Sequence, residues 1–128
     1  MATTKKMYQM EFELKLSAPM LYSLLSSPSG LAEWFCDDVD IKNGDYVFKW
    51  TGETRSARIL KKVTNKSIRY QWLDSEKDEF FEFDIEKDEI TGDIALIITD
   101  FSAEKELAEN KQLWESQIHE MQANLGMA

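Results

Sequence analysis

The first strongly patterned segment of the chain is YQMEFELKL, in which apolar and polar residues alternate. Its apolar positions share one face, as is typical of a half-buried strand: Tyr8, Met10, Phe12, Leu14 and Leu16. In the next segment, Ser17 is placed to cap a helix that has Pro19 in its first turn. A break at Ser27 and Pro28 precedes a second short helix toward Trp34. The pattern therefore predicts one strand followed by two short helices.

Strand-like alternation returns after Val39, with tight turns predicted at NGD and TGE. Further alternating segments cover residues 54–63, 67–73, 80–87 and 93–100, and the turns TNKS and EKDEITGD separate them. Together they predict an antiparallel meander of about six strands. The first strand must then add along one edge of that sheet.

The period changes once more near the C-terminus, where apolar residues follow helical spacing. They form one stripe: Leu107, Trp114, Ile118, Met121 and Leu125. The pattern predicts a helix from about Ser102 to Gly126, a natural stop residue. A helix of about 22 residues is about 33 Å long, enough to cross the whole sheet.

Composition and charge narrow the classes of partner. The chain has 128 residues, which fits one domain over residues 1–128, and its net charge of -9 disfavours nucleic acid and anionic membrane surfaces. The single cysteine, Cys36, excludes an internal disulfide and a multi-thiolate metal site. No apolar segment near the N-terminus is long enough for export or membrane insertion. We expect a soluble cytoplasmic protein.

Charge is unevenly distributed between two neighbouring segments. Residues 74–93 hold ten acids and two lysines, whereas residues 54–72 hold six basic residues and no acid: Arg55, Arg58, Lys61, Lys62, Lys66 and Arg69. One interpretation is a basic patch for an anionic partner. The other is cross-strand pairing of opposite charges on the solvent face, which stabilises antiparallel strands. We favour the pairing.

Five segments carry a resemblance to a known family: SGLAEWF, GDYVFKW, SIRYQW, DIALIITDFS and LWESQIHEMQANLG. Their order resembles the START-like superfamily, also called SRPBCC or Bet v 1-like, and within it the bacterial homologues of the activator of the ninety-kilodalton heat-shock protein's ATPase. The resemblance implies an α+β helix-grip fold, with a curved antiparallel sheet of about seven strands around a long C-terminal helix. It also implies a cavity between them, roofed by the short helices, that holds small apolar ligands in many relatives.

Large aromatic residues on the predicted concave face are the main candidates for lining such a cavity. They either fill the space or line a pocket of the apolar kind that small ligands prefer, and their size predicts a reduced cavity. The candidate ligand-binding residues are Trp34, Phe35, Phe48, Trp50, Arg55, Tyr70, Trp72, Phe83, Trp114 and Ile118. Trp34 and Phe35 are either core residues or flank the cavity entrance, with one of them packing against Trp114.

The polar candidates for chemistry are few. Arg55 has the strand parity of the concave side near a rim, where Glu53 or a ligand carboxylate would pair with it. Asp37 and Asp38 form a carboxylate pair that is more typical of a solvated loop than of acid-base catalysis. His119 lacks a second ligand at metal-binding spacing. We therefore predict neither a metal nor a cofactor, and no catalytic residue.

Three hypotheses for the function follow. The first is a non-enzymatic domain that binds a small hydrophobic or amphipathic molecule. The second is a protein-interaction or chaperone-partner module with a filled core. The third is an enzyme of the cyclase or aromatase type, which requires ionisable groups inside the pocket, with only Arg55, Tyr46 and Tyr70 as candidates.

Overall fold

The computed structural model describes residues 4–76 and 78–125. The elements in chain order are β1 (Lys5–Leu14), α1 (Ala18–Ser26), α2 (Pro28–Leu31), β2 (Asp38–Lys42), β3 (Asp45–Trp50), β4 (Glu53–Val63), β5 (Ser67–Trp72), β6 (Phe81–Lys87), β7 (Ile94–Ala103), a 3-10 turn (Glu104–Glu106) and α3 (Leu107–Asn124). The strands form one antiparallel sheet in the order β1-β7-β6-β5-β4-β3-β2. The predicted α+β fold is confirmed, with β1 added at one edge beside β7.

The two short helices pack over one end of the sheet's concave face. Ser17 accepts a hydrogen bond from the Met20 backbone amide and so caps α1, as predicted, while Ser27 caps α2 through the Gly30 amide. A Cβ atom at Gly30 would lie 2.1 Å from the Ser23 carbonyl oxygen, so only glycine permits the close approach of α1 and α2. Leu21 and Leu25 of α1 are completely buried.

Tyrosine hydroxyl groups of the sheet hold α1 in place. The Tyr70 hydroxyl donates to the Leu25 carbonyl and the Tyr46 hydroxyl donates to the Ser26 carbonyl, each across 2.7 Å. These bonds satisfy backbone acceptors at the helix end, which have no partner within the helix. Both tyrosines are therefore structural members of the core beneath α1.

The C-terminal helix begins later than the sequence predicted. Ser102 and Ala103 belong to β7, where they pair with Lys6 and Lys5 of β1, and α3 starts at Leu107. The predicted end at Gly126 lies outside the described residues. Along α3 the buried residues are Trp114, Ile118 and Met121, whereas Leu107 is half-buried and Leu125 is exposed. The predicted stripe thus holds in its middle and not at its ends.

Opposite charges do pair between the middle strands. Arg69 Nε lies 2.7 Å from Glu82 Oε1, its direct cross-strand partner, and Lys66 Nζ lies 3.1 Å from Asp84 Oδ1. The basic side chains of β4 other than Arg55 have no ion pair within residues 4–76 and 78–125: Arg58, Lys61 and Lys62. The predicted pairing is confirmed between β6 and residues 66–69, whereas on β4 only Arg55 has an ion pair among the described residues, with Asp74.

Candidate functional site

A cavity of about 640 Å³ lies between α3 and the sheet. Strand ends meet there, including the start of β1 and the ends of β3, β5 and β7, and the first half of α3 forms the opposite wall. The described residues of α1 and α2 do not line it. These helices fill the other end of the concave face. They therefore do not cover the cavity as the family resemblance implied.

The inner wall of the cavity is aromatic, and Phe35 is its centre. The Phe35 ring stacks on Trp114 at a centroid distance of 5.9 Å and meets Phe48 edge-on at 5.2 Å. It also contacts the rings of Trp50, Trp72 and Phe81, which line the cavity with it. Phe35 is only 5% exposed. It is therefore a core residue and a wall of the cavity at once.

The backbone of Phe35 also joins three elements. Its carbonyl oxygen accepts hydrogen bonds from Trp50 Nε1 at 2.9 Å and from Gln117 Nε2 at 3.2 Å. Trp50 ends β3 and Gln117 lies on α3. The segment after α2 thereby ties the helix to the sheet at the inner end of the cavity.

Half of the residues predicted to bind a ligand line this cavity: Phe35, Trp50, Arg55, Trp72 and Trp114. The others do not. Phe48, Tyr70 and Phe83 are completely buried beneath the residues that line the cavity, and Ile118 on α3 is 2% exposed. Along each strand the lining residue is the one nearer the open end, so Trp50 and Trp72 reach the cavity while Phe48 and Tyr70 lie two residues farther in.

Trp34 points away from the cavity. It packs against Phe83, and its Nε1 atom donates to the Leu24 carbonyl across 2.7 Å. Its other side borders a second depression, of about 410 Å³, between the segment after α2 and the second half of α3. Phe35, rather than Trp34, is the member of the pair that packs against Trp114.

Arg55 lies at the cavity rim, as its strand parity predicted, but its partner differs from the prediction. Its Nη2 atom lies 2.9 Å from Asp74 Oδ1, and no ion pair with Glu53 is found among the described residues. The guanidinium also covers the Trp72 ring at 4.0 Å from the centroid. Hydrogen bonding to Arg55 lowers the pKa of Asp74. Asp74 therefore stays ionised at neutral pH.

A largely buried carboxylate in the cavity wall was missed by the sequence analysis. Asp100 Oδ2 accepts hydrogen bonds from Trp114 Nε1 at 3.0 Å and from the Tyr8 hydroxyl at 3.4 Å. Burial raises the pKa of Asp100, and burial, followed by the neighbouring charge of Asp100, raises the pKa of Tyr8. Asp100 continues the inward parity of Leu96 and Ile98, so an acid at an apolar position was the signal.

The remaining charges around the cavity are mostly negative. Among the described lining residues, five carboxylates face two cations, Lys5 and Arg55: Glu53, Asp74, Glu79, Asp100 and Glu106. Lys5 Nζ lies 3.6 Å from Glu79 Oε1. Both cations thus have an acidic partner within the cavity lining.

The other chemical candidates lie outside the cavity. Asp37, Asp38 and His119 are exposed. The buried Cys36 thiol donates to the Leu31 carbonyl at 3.8 Å, and burial raises its pKa to about 12, which disfavours the reactive thiolate. Over residues 4–76 and 78–125, no three His, Cys, Asp or Glu side chains are placed to hold a metal ion, and no helix is long and apolar enough to cross a membrane.

Comparison with known proteins agrees with this architecture. The family model of the START-like superfamily domain matches residues 1–127. A Bacteroides fragilis protein solved by NMR is 35% identical with a TM-score of 0.67, and the match covers 97% of this chain and 93% of that one. No curated protein matches the chain.

More distant solved structures share the fold alone. The Aha1 dimer protein of Colwellia psychrerythraea has a TM-score of 0.74 at 16% identity, over 92% of this chain and 95% of that one. DynU16, from the dynemicin biosynthetic locus, has a TM-score of 0.75 at 12% identity, over 94% of this chain and 47% of that one. With a family model that spans nearly the whole sequence, the chain belongs to the START-like superfamily.

Proposed function

We propose that this protein binds a small hydrophobic or amphipathic molecule in the cavity between the sheet and α3. The observation that carries the proposal is a cavity of about 640 Å³ with an inner wall of aromatic rings. Sites for small ligands have volumes of roughly 300–1,000 Å³ and apolar walls with a few polar groups. START-like domains often bind hydrophobic ligands, which supports the same proposal.

The two alternatives receive less support. An interaction module with a filled core accounts for the half of the concave face beneath α1 and leaves the open half unexplained. An enzyme needs ionisable groups in the pocket, but Tyr46 and Tyr70 bond to backbone carbonyls inside the core. Arg55 reaches the cavity and is engaged by Asp74. Non-catalytic ligand binding is therefore the function that the lining residues of the cavity support best.

A neutral apolar dye tests the proposal. N-phenyl-1-naphthylamine emits strongly in apolar surroundings, and we expect it to bind the native protein in a saturable way. Leu113 lines the cavity and is 59% exposed, so Leu113→Trp should narrow the cavity without disturbing the core. We expect the Kd of the dye to rise at least about tenfold.

The matched control is Leu60→Trp, because Leu60 is 47% exposed on β4 outside the cavity lining. It adds the same ring at a distant surface, and the Kd should stay unchanged. Absence of saturable dye binding, or an equal effect of both variants, would exclude the cavity as the binding site.

A further inference from the structure

The sign of the charges around the cavity points to the chemistry of its ligand. Within residues 4–76 and 78–125, the lining carries two cations and five carboxylates, a net of -3. Both cations are already in ion pairs, Lys5 with Glu79 and Arg55 with Asp74. Asp100, Glu53 and Glu106 have no basic partner at ion-pair distance within residues 4–76 and 78–125. The uncompensated charge of the described lining residues is therefore negative.

The aromatic wall adds a second attraction for positive charge. The faces of indole and phenyl rings carry negative electrostatic potential and attract ammonium and guanidinium groups. Arg55 shows this within the cavity itself, since its guanidinium lies 4.0 Å from the centroid of the Trp72 ring. The other lining rings, including Trp50 and Trp114, belong to the same wall.

An anionic headgroup meets the opposite situation. The guanidinium that would bind it is held by Asp74 at 2.9 Å, so an incoming carboxylate must displace that acid. It must also approach the uncompensated Asp100, Glu53 and Glu106, which repel it. A neutral apolar molecule is bound by apolar contact alone and meets neither electrostatic attraction nor electrostatic repulsion.

We propose that the ligand is a cationic amphiphile, an apolar body that carries an ammonium group, attracted to the cavity by its aromatic wall and by the negative charge of Asp100, Glu53 and Glu106. This inference rests on the proposed function, because it names the ligand class of the same cavity. The carboxylates compensate the ammonium charge, and the rings contact both the ammonium group and the apolar body.

The test is displacement of bound N-phenyl-1-naphthylamine by three molecules with one eight-carbon tail. Octyltrimethylammonium, octanol and octanoate differ in charge, being positive, neutral and negative. At neutral pH and physiological salt, we expect the cation to displace the dye at a concentration about fivefold below that of octanol. Octanoate should be the weakest competitor. Equal potency of the three, or stronger displacement by octanoate, would overturn the cationic ligand while leaving the dye result intact.

Variants separate the cavity charges from the net charge of the whole chain. Glu106 is exposed and makes no side-chain capping bond, so Glu106→Gln should fold normally. Asp100→Asn keeps a side-chain oxygen as an acceptor for Trp114. In each variant we expect the advantage of octyltrimethylammonium over octanol to fall at least about twofold.

Glu11→Gln is the matched control, because Glu11 is exposed on β1 outside the cavity lining and loses the same charge. There the advantage of the cation should stay unchanged. If Glu11→Gln reduces it as much as Glu106→Gln and Asp100→Asn do, the selectivity comes from the net charge of -9 and the cavity assignment is wrong.

Discussion

Trp114 donates a hydrogen bond from its indole Nε1 to Oδ2 of Asp100 across 3.0 Å, and this contact joins α3 to the end of β7. Asp100 also faces Tyr8 of β1 in the sheet register, so one carboxylate receives donors from the helix and from the edge strand. Only Trp114, Ile118 and Met121 are buried along the described part of α3. No described residue of α3 before Trp114 is buried, and this loose packing of the first two turns leaves room for the cavity.

Replacing Trp114 tests this attachment. Trp114→Ala should lower the free energy of unfolding by about 3–5 kcal/mol, the usual cost of deleting a buried large aromatic. Trp114→Phe keeps an aromatic ring and removes the donor, so it should cost less than the alanine variant. Urea titration measures both. A loss below about 1 kcal/mol for Trp114→Ala would mean that the helix stripe is not part of the core.

The ionisation of Asp100 should reduce stability as pH rises. Burial raises its pKa above the ordinary value of 3.8, so the folded state binds this proton more tightly than the unfolded state does. The contribution of this group is fully present below 3.8 and is lost as pH rises through the raised folded-state pKa. Asp100→Asn removes this dependence.

The difference in unfolding free energy between Asp100→Asn and the native protein should therefore grow in favour of the variant from about pH 4 toward neutrality. Urea midpoints of both proteins across this range measure it, and all other carboxylates cancel in the difference. A difference that is constant with pH, or that favours the native protein increasingly, would contradict the raised pKa.

Substitutions of Phe35 and Leu113 should affect the free energy of unfolding and the affinity for the dye to different extents. Phe35→Ala removes a ring that is 5% exposed and packed among other aromatics, so we expect a loss of about 3–5 kcal/mol. Leu113→Ala removes a side chain that is 59% exposed, and its cost should stay below about 0.5 kcal/mol. Dye affinity should nevertheless fall in Leu113→Ala. If Phe35→Ala unfolds with nearly the same free energy as the native protein, the aromatic wall is not part of the hydrophobic core.

The ion pair of Arg69 and Glu82 should make a small, salt-sensitive contribution. A double-mutant cycle with alanine at both positions should give a coupling of about 0.2–1 kcal/mol. The coupling should decrease between roughly 0.1 and 1 M salt. Tight, salt-sensitive binding of an anionic polymer would instead support a basic patch around Arg58 and Lys61, which have no ion pair in the described part of the chain.

Alternation and helical spacing predicted nearly all the elements because each depends on neighbours within a few residues. The predicted start of α3 was wrong because Ser102 and Ala103 remain in β7. They pair there with Lys6 and Lys5, almost a hundred residues away in the sequence. Such pairing leaves no local signal. Similarly, nothing near Arg55 indicated that Asp74, beyond the next strand, would be its partner.

Strand parity identified the residues on the concave face, but it did not reveal which of them line the cavity and which are buried beneath α1. Trp72 and Tyr70 have the same parity, yet one lines the cavity and the other lies beneath α1 with its hydroxyl on Leu25. The difference depends on where the short helices stop along the strands, which sequence spacing does not reveal. Asp100 was the exception, since a carboxylate at an inward position did carry a readable signal.

The carbonyl of Phe35, which accepts from Trp50 and Gln117, reports on the width of the cavity. A ligand large enough to push α3 away from β3 must lengthen one of these two bonds before it disturbs any strand pairing. The indole NH resonance of Trp50 and the side-chain amide resonances of Gln117 are therefore intrinsic NMR probes of occupancy. They distinguish a ligand that fits the existing space from one that has to widen it.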